Sequence, residues 1–120
     1  MLNHIALRTG KFDTLVGFYE ACLSPLGYAK AAAYEGGAGF GQGETIALWI
    51  SASKQGPSSV HLAFDSPSRK AVDAFYKAAI AGGGKDNGKP GVRTDYSPNY
   101  YAAFVIDPDG NNIEAVCLKA

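Results

Sequence analysis

His4-Ile-Ala-Leu7 recurs as His61-Leu-Ala-Phe64, and Phe18-Tyr19-Glu20 recurs as Phe75-Tyr76-Lys77, both at an offset of 57 residues. Two matches at one offset mark a duplicated unit. They divide a single domain of 120 residues into a first module at about 1–56 and a second at about 57–120. Two copies make a closed pair, since stacked repeats need three or more units.

Both modules read in the same order. Residues 2–8 alternate, with Leu2, His4, Ala6 and Arg8 on one side and Asn3, Ile5 and Leu7 on the other, which predicts a strand with two usable faces. Asp13 is the expected cap of a helix running to about Leu23, with Leu15, Val16, Tyr19 and Cys22 spaced along one side. Pro25 and Gly27 end it. In the second module the strand covers 59–64 and Ser66-Pro-Ser68 opens the helix. Val72, Phe75, Ala78 and Ala79 form its buried stripe, and Gly82-Gly-Gly84 stops it. Strand-like runs follow each helix, at 28–34, 38–42 and 45–51, then at 84–88, 100–107 and 112–118. Asp107-Pro-Asp-Gly110 is a turn, because Pro presets φ and Gly accepts positive φ. Each module is therefore βαβββ, and the fold class is α+β. The Gly/Lys/Pro-rich segment 82–99 is the longest irregular stretch and is expected to form a mobile flap.

Composition removes several functions. The hydrophobic fraction of 47% suits a folded globule, and eleven basic residues balance eleven acidic ones. No run of Lys or Arg appears, so neither nucleic acid nor an anionic membrane is an expected partner. No apolar stretch reaches the length of about 18 residues that a membrane span needs. The first residues lack the basic, then apolar, pattern of a secretion signal. Cys22 and Cys117 fall in a helix and a strand without metal-type spacing, and both are read as reduced thiols of a cytoplasmic protein.

The two histidines of the chain occupy the same position in the two modules. A single strand histidine is usually a packed or hydrogen-bonded residue. A repeat-related pair would face one shared sheet interior, and this favours a ligand role. Metal chemistry needs a third protein ligand and open positions. Glu114 is the candidate, since a carboxylate in the apolar run Asn112-Ile-Glu-Ala-Val-Cys-Leu118 is costly to bury unless a cation pairs with it. Its structural alternative is an exposed edge-strand residue. Two imidazoles and one carboxylate suit a divalent ion, with Fe, Mn, Zn and Ni all consistent.

His4-Ile-Ala-Leu, Phe18-Tyr, His61-Leu-Ala-Phe and the run Tyr101 to Glu114 resemble the vicinal oxygen chelate superfamily. That family includes glyoxalase I, fosfomycin-resistance proteins, extradiol dioxygenases and bleomycin-binding proteins. The resemblance spans nearly the whole chain, and Asp107-Pro-Asp-Gly-Asn-Asn-Ile-Glu114 is its most specific part. It implies paired modules forming a curved mixed sheet around a cleft, with His4, His61 and Glu114 at metal-ligand positions. In glyoxalase I a further glutamate on the last strand of the first module serves as ligand and base. Ala47 is expected at its position here, which argues against glyoxalase I activity itself.

Candidates for the cleft wall are Arg8, Ala47, Trp49, Arg93, Tyr96, Tyr100 and Tyr101, a set that suits a small, flat or anionic ligand. Tyrosines also pack well in strands, and a loop arginine is commonly solvated. Two readings follow. One is a metal-dependent lyase, isomerase or dioxygenase acting on a small substrate chelated through neighbouring oxygens. The other is a metal-free binding protein of the bleomycin-resistance kind. A homodimer is expected in either case, because open half-barrels leave sheet edges to be covered.

Overall fold

The computed structural model describes residues 2–120. Its elements run β1 (Ile5–Thr9), α1 (Phe12–Leu23), β2 (Ala29–Tyr34), β3 (Gly37–Gln42) and β4 (Thr45–Ala52). The second module follows with β5 (His61–Asp65), α2 (Arg69–Ala81), β6 (Lys85–Val92), β7 (Tyr101–Ile106) and β8 (Asn112–Cys117). The strand orders are β1-β4-β3-β2 and β5-β8-β7-β6, the same topology twice. In each sheet the first strand lies parallel to the last and the other pairings are antiparallel. The architecture is α+β with two βαβββ modules, and neither sheet closes on itself.

One apolar core serves both modules. Leu7, Phe18, Ile50, Phe75, Val105 and Ile113 are all at most 1% exposed and belong to a single cluster. Helix α1 packs on α2 within it. Leu62, Ile113 and Ala115 point into this core, so their neighbours His61, Ala63 and Glu114 stand on the opposite face of the second sheet. Two further links join the modules. Arg8 and Ser58 exchange bonds, the Ser58 N–H donating to Arg8 O at 3.1 Å and the Arg8 N–H to Ser58 Oγ at 3.0 Å. The Tyr19 hydroxyl of α1 donates to Asp107 Oδ2 at 2.6 Å, in the turn before β8.

Several local expectations are corrected. The first strand begins at Ile5, so His4 lies just ahead of it. Helix α1 has Lys11 at its cap without a side-chain bond, and Asp13 sits inside the first turn, where its charge favours the helix N-terminus. Ser68 does cap α2, accepting from the Ala71 N–H at 3.0 Å. Residues 85–92 form an edge strand, which extends the run expected at 84–88 into the segment expected to be a flap. Its pairing with β7 shifts register between Asp86 and Gly88 and again between Gly88 and Gly91, around Pro90, which has no N–H to donate. No described helix is long and apolar enough to cross a membrane.

Candidate metal centre

The second module brings His61 and Glu114 together through backbone bookkeeping at the start of β5. The Val60 N–H donates to Asn111 Oδ1 at 2.9 Å, and the Asn112 N–H to Val60 O at 3.0 Å. Those bonds set the register in which His61 pairs with Asn112 and Ala63 with Glu114. His61 Nε2 then lies 3.1 Å from Glu114 Oε1. The imidazole is half exposed, whereas Glu114 is only 2% exposed. Phe104 covers the pair from β7, its ring stacked on His61 at 6.3 Å between centroids and 21° between planes.

The proton positions follow from the partners. His61 Nδ1 is 2.9 Å from Asn112 O, and a carbonyl only accepts, so Nδ1 carries a hydrogen. A neutral imidazole would then present a lone pair from Nε2 to the carboxylate oxygen. Two lone pairs at that distance repel, so the contact calls for a proton or a cation on Nε2. The arrangement fits a divalent ion on this count: a buried carboxylate, an imidazole oriented by a carbonyl, and Nε2 directed at the shared point. The Tyr100 hydroxyl donates to Glu114 Oε2 and fixes the carboxylate's other oxygen. Burial first, and then this bond to Glu114, push the Tyr100 phenol up to about 12. Tyr96 packs edge-on against Tyr100 at 5.0 Å.

His4 stands apart from that group. Its Nδ1 lies 2.7 Å from Asn3 Oδ1, and it lines a cleft of about 160 Å³ with Ala47, Leu62 and Ala63. Among the described residues, no three His, Cys, Asp or Glu side chains converge as a metal-holding set. Arg8 is exposed and engaged through its backbone. Tyr101 turns to the helix side, donating to Asp73 Oδ1 at 2.6 Å beneath the Arg69 guanidinium, and so leaves the site. Arg93, Tyr96 and Tyr100 lie on the His61 side. Asn112 and Phe104 were missed by sequence reasoning; alternation back from Glu114 reaches Asn112, whereas Phe104 follows only from the pairing of β7 with β8.

The position of the first-module glutamate needs correcting. Ala63 pairs with Glu114, and Ala6, its counterpart 57 residues earlier, pairs with Trp49. Trp49 therefore occupies the place equivalent to Glu114. Ala47 sits two residues before it on the same face, where β1 would meet it if pairing ran on to His4. The indole lies over Gly39, where an added Cβ would come within 2.9 Å of the ring, and beside Tyr34 at 6.3 Å between centroids. In the second module the same cross-strand pair is Phe104 and Glu114.

Residues 1–115 match the profile of the Glyoxalase/Bleomycin resistance protein/Dioxygenase superfamily. The chain belongs to this superfamily. Solved structures of superfamily members share its fold. A glyoxalase/bleomycin resistance protein from Albidiferax ferrireducens T118 is 27% identical, with a TM-score of 0.81 and 95% of each chain covered. A glyoxalase/bleomycin resistance protein/dioxygenase family enzyme from Burkholderia phytofirmans PsJN is 18% identical, with a TM-score of 0.76 and 98% of each chain covered. A V278E mutant of glyoxalase I from Zea mays is 20% identical, with a TM-score of 0.70, and the match covers 99% of this chain and 44% of that one. No curated protein matches the chain by sequence.

Proposed function

We propose that the chain is a metal-dependent enzyme of the lyase, isomerase or dioxygenase kind, acting on a small substrate chelated through neighbouring oxygens. The supporting observation is the approach of His61 Nε2 to buried Glu114 Oε1 while Nδ1 is committed to Asn112 O. In this reading His4 is the third ligand, brought to the pair within one chain or across the dimer. Trp49 supplies no fourth ligand and no base, so the set is two imidazoles and one carboxylate with open positions, and glyoxalase I activity is not expected. A bound divalent ion would polarise the substrate's oxygens and stabilise the charge that develops on them. Tyr100 holds Glu114 so that one oxygen faces His61, and Phe104 keeps water from that side of the pair. A second copy of the chain would cover the open sheet edges at β2 and β6, making the working unit a homodimer.

Elemental analysis of the purified protein is the first test, with about one ion per chain expected. His61→Ala should lose the ion, by calorimetric titration, while its circular dichroism stays that of the parent. A parent protein that carries no ion and takes none up would overturn the proposal and favour metal-free ligand binding. Light scattering that gave a species of 12.6 kDa would remove the homodimer.

A further inference from the structure

Beyond Phe104 from His61, the chain builds a seat for Arg93. The Phe104 ring that stacks on His61 also carries the Arg93 guanidinium, whose carbon lies 5.6 Å from the ring centroid. Gly88 and Gly91 of β6 leave the room it occupies. A Cβ at Gly88 would come within 3.2 Å of one terminal nitrogen of Arg93, and a Cβ at Gly91 within 3.2 Å of the other. One of those nitrogens donates to Lys89 O at 2.5 Å. The Arg93 backbone N–H donates to Tyr100 O at 2.7 Å, which ties the seat to the residue that holds Glu114.

An arginine fixed this way has surrendered its side-chain freedom before any ligand arrives. Yet it makes no ion pair among the described residues, and only one of its five N–H donors has a protein acceptor. The guanidinium opens on a cavity of about 400 Å³ that also touches Asn87, Tyr96 and Asn112. No carboxylate lines it. Asn87 Nδ2 donates to Asn112 Oδ1 at 3.2 Å, which leaves the Asn112 amide N–H groups free to donate. Asn112 is also the residue whose carbonyl orients His61. The cavity thus runs from an unpaired cation to the edge of the candidate metal centre, and its size suits a small molecule.

We propose that this cavity is an oxyanion subsite, in which Arg93 and the Asn112 amide bind a carboxylate or phosphate group of the substrate. The inference deepens the reading of His61 and Glu114 as the reacting end, and rests on it for the substrate's orientation. A planar guanidinium with free parallel donors matches two oxygens of such a group. The substrate is then an anionic small molecule, held at Arg93 by its charge and at the His61 side by neighbouring oxygens.

The chain has three arginines, Arg8, Arg69 and Arg93, so their Nε–H resonances form a three-peak spectrum. Protein stripped with EDTA is titrated with inorganic phosphate in one arm and acetate in the other, at constant ionic strength. One peak should shift saturably in the millimolar range while the other two stay. That peak should vanish from the spectrum of Arg93→Gln, and Arg93→Lys should bind the anion about tenfold more weakly. Saturation by phosphate alone assigns a phosphate-bearing substrate, and saturation by acetate assigns a carboxylate. All three peaks moving together and linearly, or saturation that survives in Arg93→Gln, overturns the proposal. Because no metal is present, this outcome is independent of the metal reading. His61→Ala, which should lose the ion, should keep the anion titration.

Discussion

Tyr19→Phe removes one oxygen from the middle of the molecule and leaves the ring's packing in place. Tyr19 is fully buried on α1, and its hydroxyl donates at 2.6 Å to Asp107 Oδ2 in the other module. Asp107 is 4% exposed, so water cannot replace the lost donor without opening the core. The Asn111 amide still donates to Oδ2 at 2.8 Å, and the Asp109 and Asn111 N–H groups still donate to Oδ1, each at 2.9 Å. The turn therefore survives, and the loss is one hydrogen bond to a charged acceptor, about 2 kcal/mol. An unfolding entropy of about 2.1 cal/mol/K per residue amounts to about 0.25 kcal/mol/K for a chain of this length, so Tm should fall by about 8 °C. In urea, with a slope of about 1.5 kcal/mol/M, the midpoint should fall by about 1.3 M at unchanged slope. Equilibrium unfolding followed by circular dichroism reads both quantities. A midpoint shift below about 0.3 M would refute the claim that this bond ties the modules together.

Three other outcomes are expected. Gly39→Ala places a Cβ 2.7 Å from Ile46 Cγ2 and 2.9 Å from the Trp49 ring, and should cost about 1–3 kcal/mol in urea unfolding, with part recovered in a Trp49→Ala background. A neutral Gly39→Ala would mean that Trp49 does not lie over that strand. Stability should fall as pH rises past 9.0 and then 10.0, the ordinary values for Cys22 and Tyr19, because burial raises both groups in the folded chain. The unfolded chain then binds fewer protons than the folded one, which makes the slope of stability with pH negative. Tyr19→Phe should flatten the upper part of that decline, and an unchanged alkaline profile would remove Tyr19 as its source. Tyr100→Phe should weaken metal binding by about tenfold in calorimetry through loss of its hold on Glu114, and an unaltered affinity would exclude that positioning role.

The repeat was legible because the offset of 57 residues lands on matching strands, His61–Asp65 after Ile5–Thr9, and on helices that meet in one core. Glu114 was legible too, since a carboxylate in an apolar run must find a partner once it is buried. What the alternation could not supply was pairing between strands. Ala47 and Trp49 share a face, and periodicity treats them alike. Only the register, Ala6 with Trp49 and Ala63 with Glu114, shows which of them answers to the glutamate. Strand β6 was legible only in part, at 84–88, for a related reason. Lys85-Asp-Asn-Gly-Lys-Pro-Gly-Val92 has neither alternation nor β-branched residues before its end, and its strand character comes from backbone pairing with β7. His4 was assigned to the strand by parity, yet the described pairing stops one residue short of it.

The duplication also lets the two modules be compared position by position. At one pairing position the second module has Phe104 beside Glu114, and the first has Gly39 beside Trp49. The large ring stands on the other strand of the pair, and no carboxylate is present there. An indole over a glycine makes a flat apolar floor with neither a carboxylate ligand nor a titrating group. The second module has its ring on β7, where it stacks on His61 and carries the Arg93 guanidinium. Trp49 leaves Glu114 as the carboxylate at this pairing position, with the Arg93 guanidinium on Phe104 as a nearby cation. Under the proposed reading, an anionic end held at Arg93 and neighbouring oxygens held at the His61 side would give the substrate a single orientation.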